Sequence, residues 1–248
     1  MSIMTNTILK EMKSMTTATK GVKISSDTLT VLKNFSTINS NILIKPGNVL
    51  TTISPIKNIM AQCVIEEEFD TEIGIWDLNK FLGTVSLFKS PRFDFGETSV
   101  SISDDSSSAS VTYHYSEPKL LSTVNKKVEM PDAVLSITIT TDILNELQRA
   151  SSVLGVSDLA ITNDGGDVVL RVLDKSDKST NDFSVGIDGT FEEGAEFCFY
   201  FKMENLKMLP GEYTANITDR GVSEFVNANG HDLTYWIALE ADSSYKGN

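Results

Sequence analysis

The sequence predicts an α+β protein built from two similar domains, and three observations support this. The chain has 248 residues, 40% of them hydrophobic, which is enough to form the cores of two ordinary domains. An order of helix, hairpin, strand, helix and further strands occurs twice along the chain. The string LNKFL at 78–82 also matches the pattern of NLKML at 205–209, and each lies at the corresponding place in its copy. We therefore infer an internal duplication.

The first copy begins with a predicted amphipathic helix in the stretch SSDTLTVLKNFSTINSNILI, residues 25–44. At 100° per residue, its apolar side chains fall on one side, as expected of a helix that packs on a core. These residues are Leu29, Val31, Leu32, Phe35 and Ile38. The opposite side contains hydroxyl groups and one lysine, and no acid: Ser26, Thr30, Lys33, Thr37 and Ser40.

The rest of the first copy is mainly β-like. Two β-like runs flank Pro46-Gly47, which predicts a hairpin. The next run, 61–75, contains the acidic string Glu66-Glu67-Glu68, which could bind a cation or form a solvated strand edge. A second helix is predicted at 76–87 with Asp77 as its cap, and strands follow at 93–115 around a serine-rich turn.

A connector without clear periodicity, 117–134, precedes the second copy. A helix is predicted at 140–154 and a hairpin with its turn at 164–166. The segment 195–217 predicts a strand, a short fourth helix ended by Pro210-Gly211 and another strand. The predicted organisation is a tail at 1–23, a first domain at 24–116, the connector, and a second domain at 135–248.

The overall charge is strongly acidic, with 21 basic and 34 acidic residues and a net charge of −13. Such a balance argues against nonspecific nucleic-acid affinity over the whole surface. The tail differs, because it contains four lysines and a single glutamate. Each of the four predicted helices also has a basic residue on a face that is poor in acids: Lys33, Lys80, Arg149 and Lys207. These faces either are ordinary solvated surfaces or face phosphates, and their pattern alone leaves both interpretations open.

Four long strings provide a resemblance to a known family: 32–48, 76–88, 206–213 and 238–244. In their residues, order and spacing these strings closely resemble the DNA polymerase sliding clamp of T-even-type myophages. The resemblance extends across about 24–244 and is weaker in the connector and in the strands of 89–116. It implies a homotrimeric ring with helices around the central hole and antiparallel sheets outside.

The resemblance also implies a function and partners. The clamp would encircle duplex DNA without reading its sequence and tether the replicative polymerase. An ATP-driven clamp loader would open it, and it would also support late transcription in the cytoplasm of the infected bacterial host. The DNA-facing residues would be Lys33, Lys80, Arg149, Lys207, Thr37, Asn145 and Gln148. The cleft for a partner peptide would be formed by Trp236, Ala238, Leu120 and Leu121, although Trp236 could instead be a core residue.

The residues do not predict an enzyme, a metal site or a cofactor. His114 and His231 have no metal-ligand spacing and no nucleophile elbow nearby, and there is no P-loop, so ATP chemistry would belong to a partner. No apolar run approaches the length of about 20 residues that crosses a membrane. Two alternatives stay open from the residues: a β-rich phage structural protein, and a peptide-binding module that does not contact DNA.

Overall fold

The structure is a computed structural model that describes residues 23–106, 108–124, 128–164 and 166–247. Nearly all of the tail predicted at 1–23 lies outside these ranges, as do residues 125–127 of the predicted connector and residue 165 of the predicted turn at 164–166. Within the described part of the chain, no helix is long and apolar enough to span a membrane.

The described elements are mostly strands, with three α-helices and two short 3-10 turns. The helices are α1 (Ser26–Ile38), α2 (Leu78–Val85) and α3 (Thr141–Leu154), and the 3-10 turns are Pro118–Leu120 and Met203–Asn205. The first half contains strands β1 (Ile42–Ile44), β2 (Gly47–Ile53), β3 (Ile59–Phe69), β4 (Ile73–Ile75), β5 (Pro91–Phe95), β6 (Ser99–Asp104) and β7 (Ser110–His114). The second half contains β8 (Leu135–Ile139), β9 (Asp158–Asp164), β10 (Asp167–Leu173), β11 (Phe183–Ile187), β12 (Gly189–Phe191), β13 (Glu196–Lys202), β14 (Tyr213–Ile217), β15 (Val222–Asn227), β16 (Leu233–Ala238) and β17 (Ser244–Lys246).

The three helices form where caps and apolar periodicity coincide. The side chains of Ser25, Asp77 and Thr140 each accept a hydrogen bond from a backbone N–H in the first turn of the helix that follows. Helix α3 ends at Gly155, whose φ of 70° is the left-handed conformation that glycine adopts at little cost. The predicted core side of α1 is confirmed, since Val31, Leu32, Phe35 and Ile38 are buried and Leu29 packs against them.

The acidic run in β3 has a role that the sequence interpretation missed. Glu66 and Glu68 are exposed, but Glu67 turns toward the start of α1, where it accepts hydrogen bonds from the Ser25 backbone N–H and, at 2.5 Å, from the Thr28 hydroxyl. Burial opposes the ionisation of Glu67, but these hydrogen bonds outweigh it and hold the pKa of Glu67 below its ordinary value. Glu67 therefore ties β3 to the positive end of α1.

The two halves repeat one strand arrangement. In the second half the sheet order is β11-β10-β9-β13-β17. In the first half β3 pairs with β2, β1 pairs with β4, and β1 lies against β2. In both halves the third, second and first strands after the helix therefore follow one another, and the next strand in the order is β4 in the first half and β13 in the second. Each half then adds three antiparallel neighbours, β5-β6-β7 and β14-β15-β16. This arrangement confirms the α+β fold of two similar halves.

The halves join through one strand pair, β3 with β16. Cys63 lies opposite Leu233, Ala61 opposite Tyr235 and Ile59 opposite Ile237. These side chains are all buried, which makes the junction part of the hydrophobic core. As a result, one seven-stranded sheet, β12-β8-β14-β15-β16-β3-β2, spans both halves.

The predicted fourth helix is wrong. The chain makes only the 3-10 turn Met203–Asn205 and then runs irregularly to β14. In an α-helix the carbonyl of Leu206 would accept a hydrogen bond from residue 210, which is a proline and has no N–H. That carbonyl instead accepts a hydrogen bond from the Gln148 side chain at 3.3 Å. Lys207 is therefore exposed on a loop rather than on a helix.

Candidate nucleic-acid interface

The helices and the loop 203–209 lie side by side and form one continuous surface, called here the helical surface. The Ser36 hydroxyl of α1 donates to the Asn79 side chain of α2 at 2.9 Å. On the other flank of α1, the Asn34 amide donates to the carbonyl of Lys207 at 3.0 Å. The Gln148 contact then joins the loop to α3. The order across the surface is therefore α2, α1, loop 203–209 and α3.

Four basic side chains extend from this surface. Lys33, Lys80, Arg149 and Lys207 are all exposed, as the sequence predicted. None of them lies within salt-bridge distance of a carboxylate of the described residues, whereas several basic residues elsewhere are paired. Their charges are therefore available to an external anion such as a DNA phosphate.

The polar groups predicted to accompany these charges are also on the surface. Thr37 and Asn145 are exposed, and the Thr37 hydroxyl donates to the Asn34 carbonyl at 2.7 Å, which leaves its oxygen free to accept from water. Gln148 is exposed too, but one of its amide hydrogens holds the Leu206 carbonyl. Gln148 thus positions the loop in addition to any contact with a ligand.

A groove of about 490 Å³ runs between α1 and α3, with the loop as its floor. Its lining includes the hydroxyl residues Thr37, Ser151 and Ser152 and the charged residues Glu204 and Lys207. The α1 side of the groove is free of acids, as the sequence predicted. The loop side contributes one acid, Glu204, which the prediction of a fourth helix did not place in the groove. Hydroxyl groups with a few cations suit contacts to phosphate that are weak and readily exchanged.

Sequence reasoning missed a polar network beneath this surface, centred on Tyr235. Its hydroxyl donates to the Asn34 side-chain oxygen at 2.7 Å and accepts from the Leu209 backbone N–H at 3.1 Å. Tyr235 is fully buried, and burial raises the pKa of its hydroxyl, which therefore stays protonated and able to donate at neutral pH. Asn34 thus links the first half to both β16 and the loop of the second half. The available signal was the dipeptide Thr-Tyr, which occurs at 112–113 and again at 234–235.

The residues predicted to form a peptide cleft lie on two elements. Trp236 and Ala238 are partly exposed on β16, on the face opposite to that of Tyr235, and the Trp236 indole N–H donates to Glu224 at 3.0 Å. Trp236 is therefore not a fully buried core residue. Leu120 is exposed at 58%, whereas Leu121 is buried over β4, close to Gly74. Leu121 thus anchors the connector, and Leu120 is the more accessible of the two.

His114 and His231 are both exposed, as surface residues would be. Within the described residues there is no group of three or more side chains that could hold a metal ion.

Comparison with known families matches both halves of the chain. A family model described as "gp45 sliding clamp, C terminal" matches residues 136–241, and one described as "DNA polymerase processivity factor" matches residues 23–92. The sliding clamp of Enterobacteria phage T4 is 30% identical over 227 residues, which cover 90% of this chain and 99% of that protein. The sliding clamp of Vibrio phage KVP40 is 29% identical over 225 residues, which cover 89% of this chain and 100% of that protein.

Solved structures with low sequence identity share the fold. Proliferating Cellular Nuclear Antigen from Entamoeba histolytica superimposes with a TM-score of 0.63 at 12% identity, over 86% of this chain and 94% of that chain. The A. fulgidus PCNA bound to the C-terminal region of FEN-1 gives 0.64 at 13% identity, over 87% and 96%. The H. pylori beta clamp gives 0.68 at 13% identity, over 90% of this chain and 65% of that chain.

Proposed function

The chain belongs to the phage sliding-clamp family, and on that premise we propose that three copies close into a ring around duplex DNA and tether the replicative polymerase to it. The observation that carries this proposal is the helical surface, where four exposed cations form no ion pair with the described carboxylates, in a protein of net charge −13. Facing the central hole, these cations would contact the phosphates of any sequence.

Free strand edges support assembly into a ring. Within the described residues, β7 ends the sheet β5-β6-β7 and β11 ends the sheet that β10 and β9 continue. These two strands correspond to β16 and β3, the pair that joins the halves inside the chain. Unprotected edges invite pairing with another chain, and head-to-tail pairing of identical copies closes into a ring when the rotation allows it.

The charge of the protein favours enclosure over tight surface binding. A ring of three copies has a net charge of −39, which repels DNA at long range. An ordinary DNA-binding protein gains affinity by neutralising many phosphates. A closed ring does not need that affinity, because its retention depends on topology.

The proposed partners follow from the family. An ATP-driven loader opens the ring, the replicative polymerase binds to it, and late-transcription factors use the same clamp in the cytoplasm of the infected bacterial host. The proposed peptide cleft includes Trp236, Ala238, Leu120 and Leu121. The FEN-1 segment bound to the A. fulgidus clamp is itself a C-terminal region, which supports docking of a partner's C-terminal peptide on such a fold.

We expect Trp236→Ala to weaken binding of the polymerase's C-terminal peptide by about ten-fold or more, because a partly exposed aromatic side chain is a typical binding anchor. The trimer mass and the unfolding temperature should change little, and calorimetric titration and thermal unfolding measure the two effects. Ile56→Ala, at an apolar residue that is 79% exposed in a turn, is the matched control. A large loss of stability with unchanged peptide affinity would make Trp236 a structural residue instead.

The proposed ring is tested by the mass of the assembly in solution and by its shape in electron micrographs. Three copies of 27.2 kDa give about 82 kDa, which light scattering at tens of micromolar should approach, with dissociation on dilution. Negative-stain electron microscopy should show a ring with a central hole wide enough for duplex DNA. A stable monomer at high concentration would contradict the proposal and would favour a module that does not encircle DNA.

A further inference from the structure

The polar network at the in-chain junction has a counterpart at the two free edges. Tyr113 in β7 corresponds to Tyr235 in β16, since each follows a threonine in the third strand of its run of three. Arg149 in α3 corresponds to Asn34 in α1. Each lies two residues after the first fully buried leucine of its helix, which is Leu147 in α3 and Leu32 in α1. Lys80 corresponds to Lys207 through the matching strings LNKFL and NLKML.

Contacts within each half support this correspondence. The helix α1 contacts the side chain of Asn79 through Ser36, and α3 contacts the carbonyl of Leu206 through Gln148. Asn79 and Leu206 occupy the same place in the matching strings. Gln148 corresponds to Lys33, which lies one turn before Ser36 on the same side of α1. The first long helix of each half therefore contacts its own helix or loop from the same side.

At the in-chain junction every member of the set has its partner. Asn34 donates to the Lys207 carbonyl at 3.0 Å and accepts from the Tyr235 hydroxyl at 2.7 Å. The strand β3 covers the edge of β16. Tyr235 is consequently buried completely.

At the free edges, the corresponding residues make no such contact to the other half within the part of the copy that the structure describes. Tyr113 is only partly buried, and its hydroxyl donates to the Asp77 carbonyl at 3.2 Å, so its oxygen can still accept. Arg149 is exposed and makes no ion pair with the described residues. Beside them, β7 and β11 alternate partly buried apolar residues with exposed residues, as half-covered strands do.

We propose that Arg149 of one copy donates a hydrogen bond to the Tyr113 hydroxyl of the adjacent copy, while β11 pairs with β7. This contact between copies is the counterpart of the contact that Asn34 makes with the Tyr235 hydroxyl within one copy. It rests on the proposed ring and adds a residue role, since Arg149 then holds the ring together in addition to facing DNA.

The chemistry of the two residues fits this contact. A guanidinium group can only donate, and the Tyr113 hydroxyl, which donates to Asp77, keeps a lone pair that can accept. The Lys80 carbonyl lies within α2 and already accepts from the Thr84 hydroxyl at 2.9 Å, so it is not an acceptor for Arg149. Asn34 makes its contacts across a short distance with a short side chain, whereas the longer arginine side chain can bridge a subunit boundary and direct its N–H groups at the Tyr113 oxygen. Burial raises the pKa of Tyr113, so its hydroxyl stays protonated and keeps its bond to Asp77 while it accepts from Arg149.

Arg149→Ala should raise the dissociation constant of each subunit interface by roughly ten-fold to hundred-fold, the effect of losing one hydrogen bond made by a charged group. Sedimentation or mass photometry across a dilution series measures it on the full-length protein without DNA. The unfolding temperature of the dissociated monomer should not change, because Arg149 is exposed within one copy. Lys33→Ala, which removes a cation from α1, is the matched control and should leave the trimer intact.

Two further variants separate this role from a DNA contact. Arg149→Lys keeps the charge but replaces the planar guanidinium with a shorter ammonium group. If Arg149 only contacts phosphate, Arg149→Lys should load on DNA as the wild type does. If Arg149 makes the proposed contact, its trimer should be nearly as weak as that of Arg149→Ala. Tyr113→Phe should weaken the trimer, and its effect should be much smaller when Arg149→Ala is already present. A trimer of unchanged stability in Arg149→Ala would overturn the inference and leave the ring intact. A monomeric wild-type protein would instead refute the ring.

Discussion

Clamps loaded onto a closed circular DNA are expected to stay on it through a wash at high salt and to leave when the circle is cut. Enclosure is topological, so salt that screens the lysines does not release the ring, whereas a free DNA end does. The expected difference between circular and linear DNA is large, from nearly complete retention to nearly complete loss. Gel filtration of loader-treated complexes before and after cleavage with a restriction enzyme measures it.

Two controls accompany this experiment. Linear DNA with a bulky protein bound at each end should retain the clamp as well as the circle does. Unloaded clamp should bind short linear DNA only weakly, because the net charge of −13 per copy repels the duplex. Tight binding of unloaded protein, together with retention that does not depend on cutting, would show that the protein binds DNA as an ordinary groove or surface binder.

The double variant Lys33→Glu, Lys207→Glu is expected to reduce the amount of clamp loaded on DNA by about ten-fold or more. Both side chains are exposed on the helical surface, and neither forms an ion pair with the described residues. The change makes a ring of three copies more negative by about 12 charges, all on the surface proposed to face the duplex. Fluorescence from a labelled clamp on closed circular DNA, measured at two salt concentrations, gives the amount loaded.

The matched control is Lys45→Glu, Lys178→Glu, which makes the same change of charge at exposed residues outside the helical surface. It should load nearly as well as the wild type. Both double variants should keep the trimer mass and the unfolding temperature, because none of the four side chains is buried. Equal loading by the two double variants would mean that loading depends on total charge alone and that the helical surface does not face DNA.

Much of the local structure could be predicted. The caps Ser25, Asp77 and Thr140 and the apolar side of α1 follow from interactions between residues that are close in sequence, so the pattern alone reveals them. The exposure of Lys33, Lys80 and Arg149 follows from the same periodicity. The two similar halves were visible because a repeated order of elements does not depend on how the elements pack.

The fourth helix shows where a local pattern fails. The string NLKML resembles LNKFL, and the first was therefore expected to be helical like the second. Pro210 removes a donor that a helix at 205–209 would need, and the side chains of Gln148 and Asn34 supply other donors to its carbonyls. The proline was visible in the sequence, but the competing side chains come from helices far away along the chain.

Sequence alone was sufficient for the three long helices, their caps, the duplication and the family, because each is expressed in neighbouring residues or in strings that stay contiguous. The junction between the halves could come only from the tertiary structure. The Asn34 contacts span 173 residues to Lys207 and 201 residues to Tyr235, and no spacing along the chain encodes such a pairing. The same holds for the strand edges: that β16 is covered by β3 while β7 and β11 stay open depends on which surfaces meet after the two halves have folded.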